Sequence, residues 1–211
     1  MFSSVLSAAI CGIDGRKITV EADVSDGLPV FSMVGYLASE VREAQDRVRT
    51  ALKNTGIRLP ARRITVNLAP ADIRKAGSGF DLPIAVAVLS CLEQIPRQRT
   101  EGILFVGELS LDGGINGIRG VMELVSCAVR QGCHTCIVPE ENLAEGSVIQ
   151  GIKVLGAGHI RQVIRYLRGQ GELEQRSINI EEIRNRHKGE AGPDFSQIQG
   201  QFLLRRAAEV A

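Results

Sequence analysis

A glycine-rich turn followed at once by an apolar helix is the feature that most restricts the fold of this chain. Residues 74–89 read RKAGSGFDLPIAVAVL. They follow residues 62–68, in which apolar and polar side chains alternate as in a half-buried strand. The order strand, glycine turn, helix is typical of a mixed α/β domain. Phosphate-binding loops share this order, but no Gly-Lys-Ser or Gly-Lys-Thr follows the turn, so a nucleotide site there is disfavoured.

Other segments carry the periodicities of strands and helices. Residues 17–24 alternate strictly, and a turn at Asp26 and Gly27 precedes a second strand over 30–34, so we expect a small antiparallel sheet at the N-terminus. Apolar residues three and four apart predict a helix over residues 38–54. Further strands are predicted over 103–106, 135–138 and 152–155, and further helices over 82–92, 118–128 and 160–167. The predicted fold class is α/β, including α+β, with mixed sheets and packed helices.

One compact domain with a tail accounts best for the composition. The 211 residues are 44% hydrophobic, and a chain of this kind can form a single core without disulfides or metals. We expect a domain over residues 1–169, a polar linker over 170–193 where large apolar side chains are scarce, and a helix over 194–211. That last helix has no terminating residues, so we expect the sequence to stop within an element.

Charge and cysteine usage favour a cytoplasmic protein without a general affinity for polyanions. The 25 basic and 24 acidic residues give a formal net charge of +1, so any binding of nucleic acid must rest on a local patch. Five irregularly placed cysteines suit a reducing compartment. No apolar run approaches the roughly 20 residues that span a bilayer, so we expect no membrane contact.

Cysteine and histidine positions do not predict a metal site. Cys133 and Cys136 have the two-residue gap of zinc ligands, but residues three apart on a strand point to opposite faces. We expect both thiols to be buried instead. The three histidines, His134, His159 and His187, are scattered, and no metal is predicted.

Two motifs resemble those that carry the serine and the lysine of Lon-type protease domains. They are the glycine turn with its helix and the segment GELSLDGGINGIRG at residues 107–120. In the resemblance, Gly79 stands where such proteases keep the nucleophilic serine and Met122 where they keep the lysine. Glycine offers no nucleophile and methionine accepts no proton, so we predict a protease fold without catalytic residues. The alternative is a displaced pair of Ser78 and Lys75, whereas Ser78 is otherwise expected to be a turn hydroxyl bonded to the backbone.

The chain is identified as a member of the ComM/YifB family of magnesium-chelatase-like ATPases by motifs along nearly its whole length. The motifs that resemble the family are DRVRTAL at 46–52, ITVNLAPAD at 64–72, GSGFDLPIAVAVL at 77–89 and GELSLDGGINGIRG. The resemblance implies the fold called ribosomal-protein-domain-2-like, shared with Lon proteases, joined to an AAA+ module that forms homo-hexamers. It also implies that the full-length protein uses ATP and magnesium for DNA branch migration in competence. This chain alone is expected to have no cofactor and no enzymatic activity.

The resemblance extends to the end of the chain. Gly200 and Gln201 match the Gly-Gln stretch at which the family's ATPase module begins. In such modules this stretch lies beside the adenine, which implies that Gly200 and Gln201 flank the nucleotide in the full-length protein. The Walker motifs, the sensors and the arginine finger are expected beyond Ala211.

Docking and DNA contact are the two non-catalytic roles that we predict. Docking on the chain's own AAA+ module or on neighbouring subunits ranks slightly higher. For DNA contact, the candidates are Arg58, Arg62, Arg63, Arg74 and Lys75, which flank one strand and are expected to converge in a phosphate-binding patch. Scarce aromatic residues weaken the DNA role. A Ser-Lys peptidase with a displaced dyad and a magnesium-chelatase-type remodelling subunit are the alternatives.

Overall fold

The structure is a computed structural model that describes residues 1–176 and 200–210. The chain divides into two compact units, Met1–Ile178 and Asn179–Ala211. The strands of the first unit are β1 (Phe2–Cys11), β2 (Asp14–Ser25), β3 (Val30–Val34), β4 (Arg63–Ala69), β5 (Ile103–Phe105), β6 (Glu108–Leu109), β7 (Ile115–Asn116), β8 (Thr135–Pro139) and β9 (Lys153–Ala157). Its α-helices are α1 (Ser39–Arg42), α2 (Ala44–Asn54), α3 (Asp81–Cys91), α4 (Val121–Arg130), α5 (Leu143–Gly146) and α6 (Ile160–Leu167). In the second unit, Phe202–Val210 is helical.

A seven-stranded mixed sheet forms the centre of the first unit. Its strands lie in the order β3-β4-β2-β1-β5-β8-β9. Strand β2 is antiparallel to both of its neighbours, β1 and β4, and all other neighbours in this sheet are parallel. A separate hairpin pairs β6 with β7. The predicted mixed α/β fold class is confirmed.

The N-terminal strands pair differently from the prediction. Strand β3 is not the antiparallel partner of β2, because β4 lies between them and pairs with β3 in parallel. Strand β4 pairs with β2 along its whole length, from Arg63 opposite Ser25 to Ala69 opposite Thr19. This long ladder aligns the alternating buried residues of both strands. The local turn at Asp26 and Gly27 carries no information about a strand that comes later in the sequence, which is why the prediction was wrong.

Helices cover both faces of the sheet, and a hydrophobic core lies under each face. Residues of α2, α3 and α6 belong to one core, and residues of α4 and α5 belong to the other. Every residue of α3 is buried, which explains why its sequence lacks the polar face of a surface helix. Strands β5 and β8 are buried on both faces, as continuous apolar runs indicate.

Two predicted helices differ from the structure, one by an interruption and the other at its first residue. The helix predicted over residues 38–54 is interrupted at Glu43, which lies between α1 and α2. Helix α4 begins at Val121 instead of Ile118, because Gly120 has a φ of 74° and therefore a left-handed conformation outside the helix. The other predicted strands and helices agree with the structure to within a few residues.

The predicted boundaries of domain, linker and final helix remain predictions. Of the linker predicted over 170–193, the structure describes residues 170–176, in which Glu174 O accepts a hydrogen bond from Gly156 N (2.8 Å). Asp194, where the last helix was predicted to begin, lies outside the described residues. Among the described residues, no helix is long and apolar enough to cross a bilayer.

Candidate functional site

The turn before α3 contains Gly79, which the sequence analysis predicts to take the place of the nucleophile in a Lon-type dyad. Its backbone is fixed, because Gly107 N donates to Gly79 O (2.9 Å) and Leu82 N donates to Gly107 O (3.0 Å). A Cβ atom at Gly79 would lie 3.2 Å from Cδ1 of Ile118. Carbon atoms in van der Waals contact are about 3.5–4.0 Å apart. Ile118 therefore covers this position closely, and its side chain would have to shift by a few tenths of an ångström to admit a side chain at Gly79.

Hydrogen bonds to Asn142 hold Ile118 over this place. Ile118 N donates to Asn142 Oδ1 (2.8 Å), and Asn142 Nδ2 donates to Ile118 O (2.9 Å). The Asn142 amide also donates to Glu145 Oε2 (3.0 Å). Both backbone polar groups of Ile118 are thus bonded to one side chain, and that side chain is itself held in position.

Met122 is the residue predicted to take the place of the lysine of the dyad. It lies in the first turn of α4, and 40% of its surface is exposed. Its backbone N–H donates to Glu145 Oε1 (3.2 Å). Its thioether has no nitrogen that could accept the proton of a hydroxyl, so this position supplies no general base.

Lys75 and Ser78, the candidates for a displaced dyad, do not form a hydrogen-bonded pair. Lys75 is fully buried and its ammonium group donates to Pro70 O. Burial lowers the pKa of Lys75, while the charge of Asp72 raises it. The Ser78 hydroxyl forms no hydrogen bond with any described residue, so the predicted backbone bond of this hydroxyl is wrong; only Ser78 O accepts one, from Asp81 N (3.4 Å).

Asp81, in the first turn of α3, is a buried carboxylate that the sequence analysis missed. Arg47 donates to it twice, from Nε to Oδ2 (2.7 Å) and from Nη2 to Oδ1 (2.9 Å), and Leu109 N donates to Oδ2 (3.1 Å). Burial raises the pKa of Asp81, and the hydrogen bonds from Arg47 and Leu109 oppose that rise. The available clue was an acidic residue at the start of a wholly apolar helix, because a buried charge requires a partner.

Glu40 fastens the glycine turn to α1. Its Oε1 accepts a hydrogen bond from Gly77 N (3.2 Å), and its carbonyl accepts one from Arg47 Nη2 (3.0 Å). Hydrogen bonds from its own backbone and from Gly77 hold the pKa of Glu40 below its ordinary value. The glycine turn is therefore fixed to α1 by the bond between Gly77 and Glu40. Asp81, which follows the turn, is bonded to Arg47 of α2 and to Leu109 of β6.

Two of the predicted arginines lie in a groove with two basic residues that were not predicted. This groove, which we name the basic groove, has a volume of about 570 Å³ and contains Arg49, Lys53, Arg58 and Arg62. Its remaining lining is uncharged and comprises residues 29–31 and 59–61, Thr50 and Ile64. Arg49 and Lys53 lie four residues apart on α2 and therefore on one face of it, which is the spacing that could have revealed them.

The other residues predicted to contact DNA lie apart from the basic groove or in the interior. The Arg63 side chain lies near Gly27, in the turn between β2 and β3. Arg74 is exposed in the turn that follows β4, at the opposite end of that strand from Arg62. Lys75 is buried, so its ammonium group cannot reach a phosphate, and its predicted surface position is wrong. The five predicted residues therefore do not converge in one patch.

The cysteines are free thiols, and four of the five are buried. Cys133 and Cys136 are both buried, which confirms that prediction. Burial raises the pKa values of the thiols of Cys91, Cys127, Cys133 and Cys136. In residues 1–176 and 200–210, no group of three or more Cys, His, Asp or Glu residues is arranged to hold a metal ion.

Gly200 and Gln201 precede the helix Phe202–Val210. Both residues have a positive φ, of 72° and 54° respectively. Gln201 O accepts a hydrogen bond from Arg205 N (3.0 Å), so Gln201 is joined to the first turn of that helix. Their place beside an adenine remains a prediction.

Comparison with known proteins identifies relatives that match nearly the whole length of this chain. Residues 20–142 match the family described as "Subunit ChlI of Mg-chelatase". The Competence protein ComM of Haemophilus influenzae is 36% identical over 207 residues, which cover 98% of this chain and 40% of that protein. The uncharacterized protein YifB of Escherichia coli is 36% identical over 212 residues, which cover 96% of this chain and 42% of that protein.

A more distant similarity links the chain to a protease. The Lon protease of Rickettsia prowazekii is 23% identical over 175 residues, which cover 77% of this chain and 22% of that protein. This chain spans about two fifths of the length of the ComM and YifB relatives that it matches. The matched family segment contains the glycine turn, α3, Ile118 and Met122.

Proposed function

Because the chain belongs to the magnesium-chelatase-like AAA+ family that includes ComM and YifB, we propose that it is a non-catalytic docking domain of a ring-forming ATPase. In this role it binds its own AAA+ module or a neighbouring subunit. The contact of Ile118 with the Gly79 position carries the proposal, because Gly79 supplies no nucleophile at the turn and a side chain there would have to displace Ile118. A domain of this kind acts through its surface.

A peptidase with a displaced dyad is the less favoured alternative. A general base must lie within hydrogen-bonding reach of the hydroxyl that it activates. The ammonium group of Lys75 donates to Pro70 O, and Ser78 is not its hydrogen-bond partner. A fluorophosphonate probe should leave the chain unlabelled, whereas labelling of Ser78 would establish the alternative.

The full-length protein is proposed to be a cytoplasmic homo-hexamer that uses ATP and magnesium to drive branch migration of DNA. Gly200 and Gln201 lie beside the adenine in this proposal. The name of the ComM relative supports a role in competence. DNA-stimulated ATP hydrolysis by the full-length protein is the expected result. Hydrolysis that no form of DNA stimulates would favour the alternative, a remodelling subunit of the magnesium-chelatase type.

The docking role is tested by the size of the full-length assembly. Light scattering would compare the full-length protein with a variant that lacks residues 1–176, each with and without a non-hydrolysable ATP analogue. We expect the deletion to weaken the ring or to abolish its response to nucleotide. Rings of unchanged size, stability and nucleotide response would contradict the docking role.

DNA contact is a second candidate function because the basic groove combines Arg58 and Arg62 with Arg49 and Lys53. Binding through phosphates weakens steeply with salt, since each contact releases a counterion. Gel-shift affinity should therefore fall with salt, and Arg58→Glu/Arg62→Glu should reduce it. Absence of a shift at low salt would remove this candidate.

A further inference from the structure

The sheet has one edge that a later segment partly covers and one, which we name the open edge, that no described strand covers. At the β9 edge, Gly156 N donates to Glu174 O (2.8 Å), so a later segment pairs with that strand. At the other edge, β3 pairs with β4 on one side, and no described strand pairs with its other side. The open edge is therefore available to a further strand.

Strand β3 lacks the features that usually prevent pairing at an exposed edge. Proteins protect such edges with charged side chains, proline, bulges or very short strands. The sequence of β3, VFSMV, has five residues and contains neither a charge nor a proline. Val30 and Val34 are 46% and 49% exposed. An uncharged edge with exposed valines is suited to bind an extended segment.

The basic groove lies beside the first residues of this edge and determines the charge that such a segment needs. Its lining contains four basic residues and no acidic one. Arg49, Lys53 and Arg58 form no ion pair with a described residue, and Arg62 pairs with Asp26 only at the surface, at 3.5 Å. The groove therefore has unpaired positive charge above an apolar floor that includes Phe31 and Leu59.

We propose that β3 and the basic groove bind an extended acidic segment of a partner protein. The backbone of the segment adds a strand to β3. The side chains of the segment that point towards the groove pack on its apolar floor and bring carboxylates to its arginines, whereas the alternate side chains point to the opposite face of the sheet. This inference deepens the docking role proposed above and rests on it, since it names the chemistry of the segment that docks.

The same observations favour a peptide over nucleic acid. Binding of single strands relies on aromatic side chains that stack on bases, and Phe31, the one aromatic residue of the groove, is partly buried in the sheet. Phosphate contacts would also leave the apolar floor and the β3 backbone unused. An acidic peptide uses the basic residues, the apolar floor and the β3 backbone together.

Fluorescence anisotropy with the whole chain and a labelled decapeptide of alternating valine and glutamate tests the proposal. A decapeptide of alternating valine and lysine controls for charge. Two further valine-glutamate peptides carry N-methyl groups on alternate residues, in the two opposite registers, because N-methylation removes the N–H donors that face one side of a strand. We expect the unmodified acidic peptide to bind and one of the two methylated peptides to lose binding.

Charge reversal in the protein completes the test. Arg58→Glu/Arg62→Glu should weaken acidic-peptide binding about tenfold or more, because it replaces attraction by repulsion. Arg161→Glu/Arg165→Glu makes the same change in charge on exposed positions of α6 and should leave the affinity unchanged. Circular dichroism would establish that both variants are folded.

Several results would overturn the proposal. They are absence of acidic-peptide binding, equal binding of both methylated peptides, an unchanged affinity in Arg58→Glu/Arg62→Glu, and binding of an oligothymidine in place of the peptide. A chain that dimerises through β3 and excludes the peptide would also overturn it. The size of the full-length ring is a separate measurement, so failure of peptide binding with a ring that still depends on residues 1–176 would refute this inference alone.

Discussion

Removal of the Arg47 side chain should destabilise the fold strongly, because it leaves the Asp81 carboxylate buried with a single donor. The Asp81 side chain is 0% exposed, and after loss of Arg47 only the Leu109 amide still donates to it. Breaking a buried ion pair from one side costs about 3–5 kcal/mol. We therefore expect Arg47→Leu to lower the free energy of unfolding by about 3–5 kcal/mol.

Removal of the opposite charge should cost less. Arg47 is 22% exposed and also lies 3.6 Å from Glu43, so its guanidinium group keeps water and one acidic neighbour in Asp81→Asn. We expect that variant to lose about 1–3 kcal/mol, the cost of an imperfectly satisfied buried hydrogen bond. Arg47→Leu/Asp81→Leu should recover part of the loss seen in Arg47→Leu, because no unpaired charge remains buried.

The cost of Arg47→Leu should also depend on pH. Burial raises the pKa of Asp81 above its unfolded value, so the folded state binds a proton more readily than the unfolded state. The free energy of unfolding then falls as the pH rises from the unfolded pKa of Asp81 to its higher folded pKa. Without Arg47 the pKa of Asp81 rises further. The deficit of Arg47→Leu relative to the parent protein should therefore shrink as pH is lowered from neutrality.

Urea unfolding followed by far-UV circular dichroism measures these effects, since the chain has no tryptophan. Arg161→Leu, at an exposed position of α6, is the control and should change the free energy of unfolding by about 0.5 kcal/mol or less. A loss below about 1 kcal/mol for Arg47→Leu would refute the reasoning, because the expected cost of a stranded buried charge is several times larger. A stability deficit of Arg47→Leu that does not change with pH would also refute the reasoning.

Three further predictions concern the covered site and the thiols. Asn142→Ala removes both hydrogen bonds that hold Ile118 and should lower the free energy of unfolding by about 1–3 kcal/mol. Gly79→Ser places a side chain against Ile118 and should cost about 1–3 kcal/mol by overpacking, without reaction with a fluorophosphonate. A thiol reagent should modify the partly exposed Cys11 in the native protein, whereas the four buried thiols, whose pKa values are raised, should react only after unfolding in urea.

Each of these predictions has a control or a contrary outcome. Glu145→Ala removes one acceptor of Asn142 Nδ2 but keeps both bonds between Asn142 and Ile118, so it should be less destabilising than Asn142→Ala; equal losses would contradict the role of those two bonds. Labelling of Gly79→Ser by the fluorophosphonate would mean that a base lies within reach and that Ile118 does not close the site. Mass spectrometry that finds a buried cysteine modified as quickly as Cys11 would contradict the protection by burial.

Local patterns in the sequence predicted the strands and helices because those patterns reflect burial. The alternation in β2 and the unbroken apolar run of α3 both report which side chains face a core. Strand pairing is different, since it depends on segments far apart in sequence. The place of β4 between β2 and β3 could not be read from the turn at Gly27, because β4 begins only at Arg63.

The sequence predicted only part of the candidate site, because the rest depends on contacts between segments that are far apart in sequence. The dyad positions assigned to Gly79 and Met122 remain predictions from motifs, whereas the contact of Ile118 with Gly79 depends on tertiary structure that no motif reveals. Lys75 was misplaced because lysine is usually exposed. Its burial follows from the path of the backbone. Lys75 N donates a hydrogen bond to Tyr36 O (2.9 Å), and Lys75 O accepts one from Ala38 N (2.9 Å). The backbone around Lys75 is therefore paired with residues 36–38, which lie far from it in the sequence.

The covered turn and the basic groove lie at opposite ends of β4 and share no residue. The seven residues of β4 separate them, and at about 3.3 Å per residue the strand is about 20 Å long. The turn follows the last residue of β4, whereas Arg62 precedes the first. Gly79→Ser should therefore leave acidic-peptide binding unchanged, and Arg58→Glu/Arg62→Glu should leave the packing of Ile118 unchanged. A loss of peptide binding in folded Gly79→Ser would contradict this independence and place the peptide at the turn.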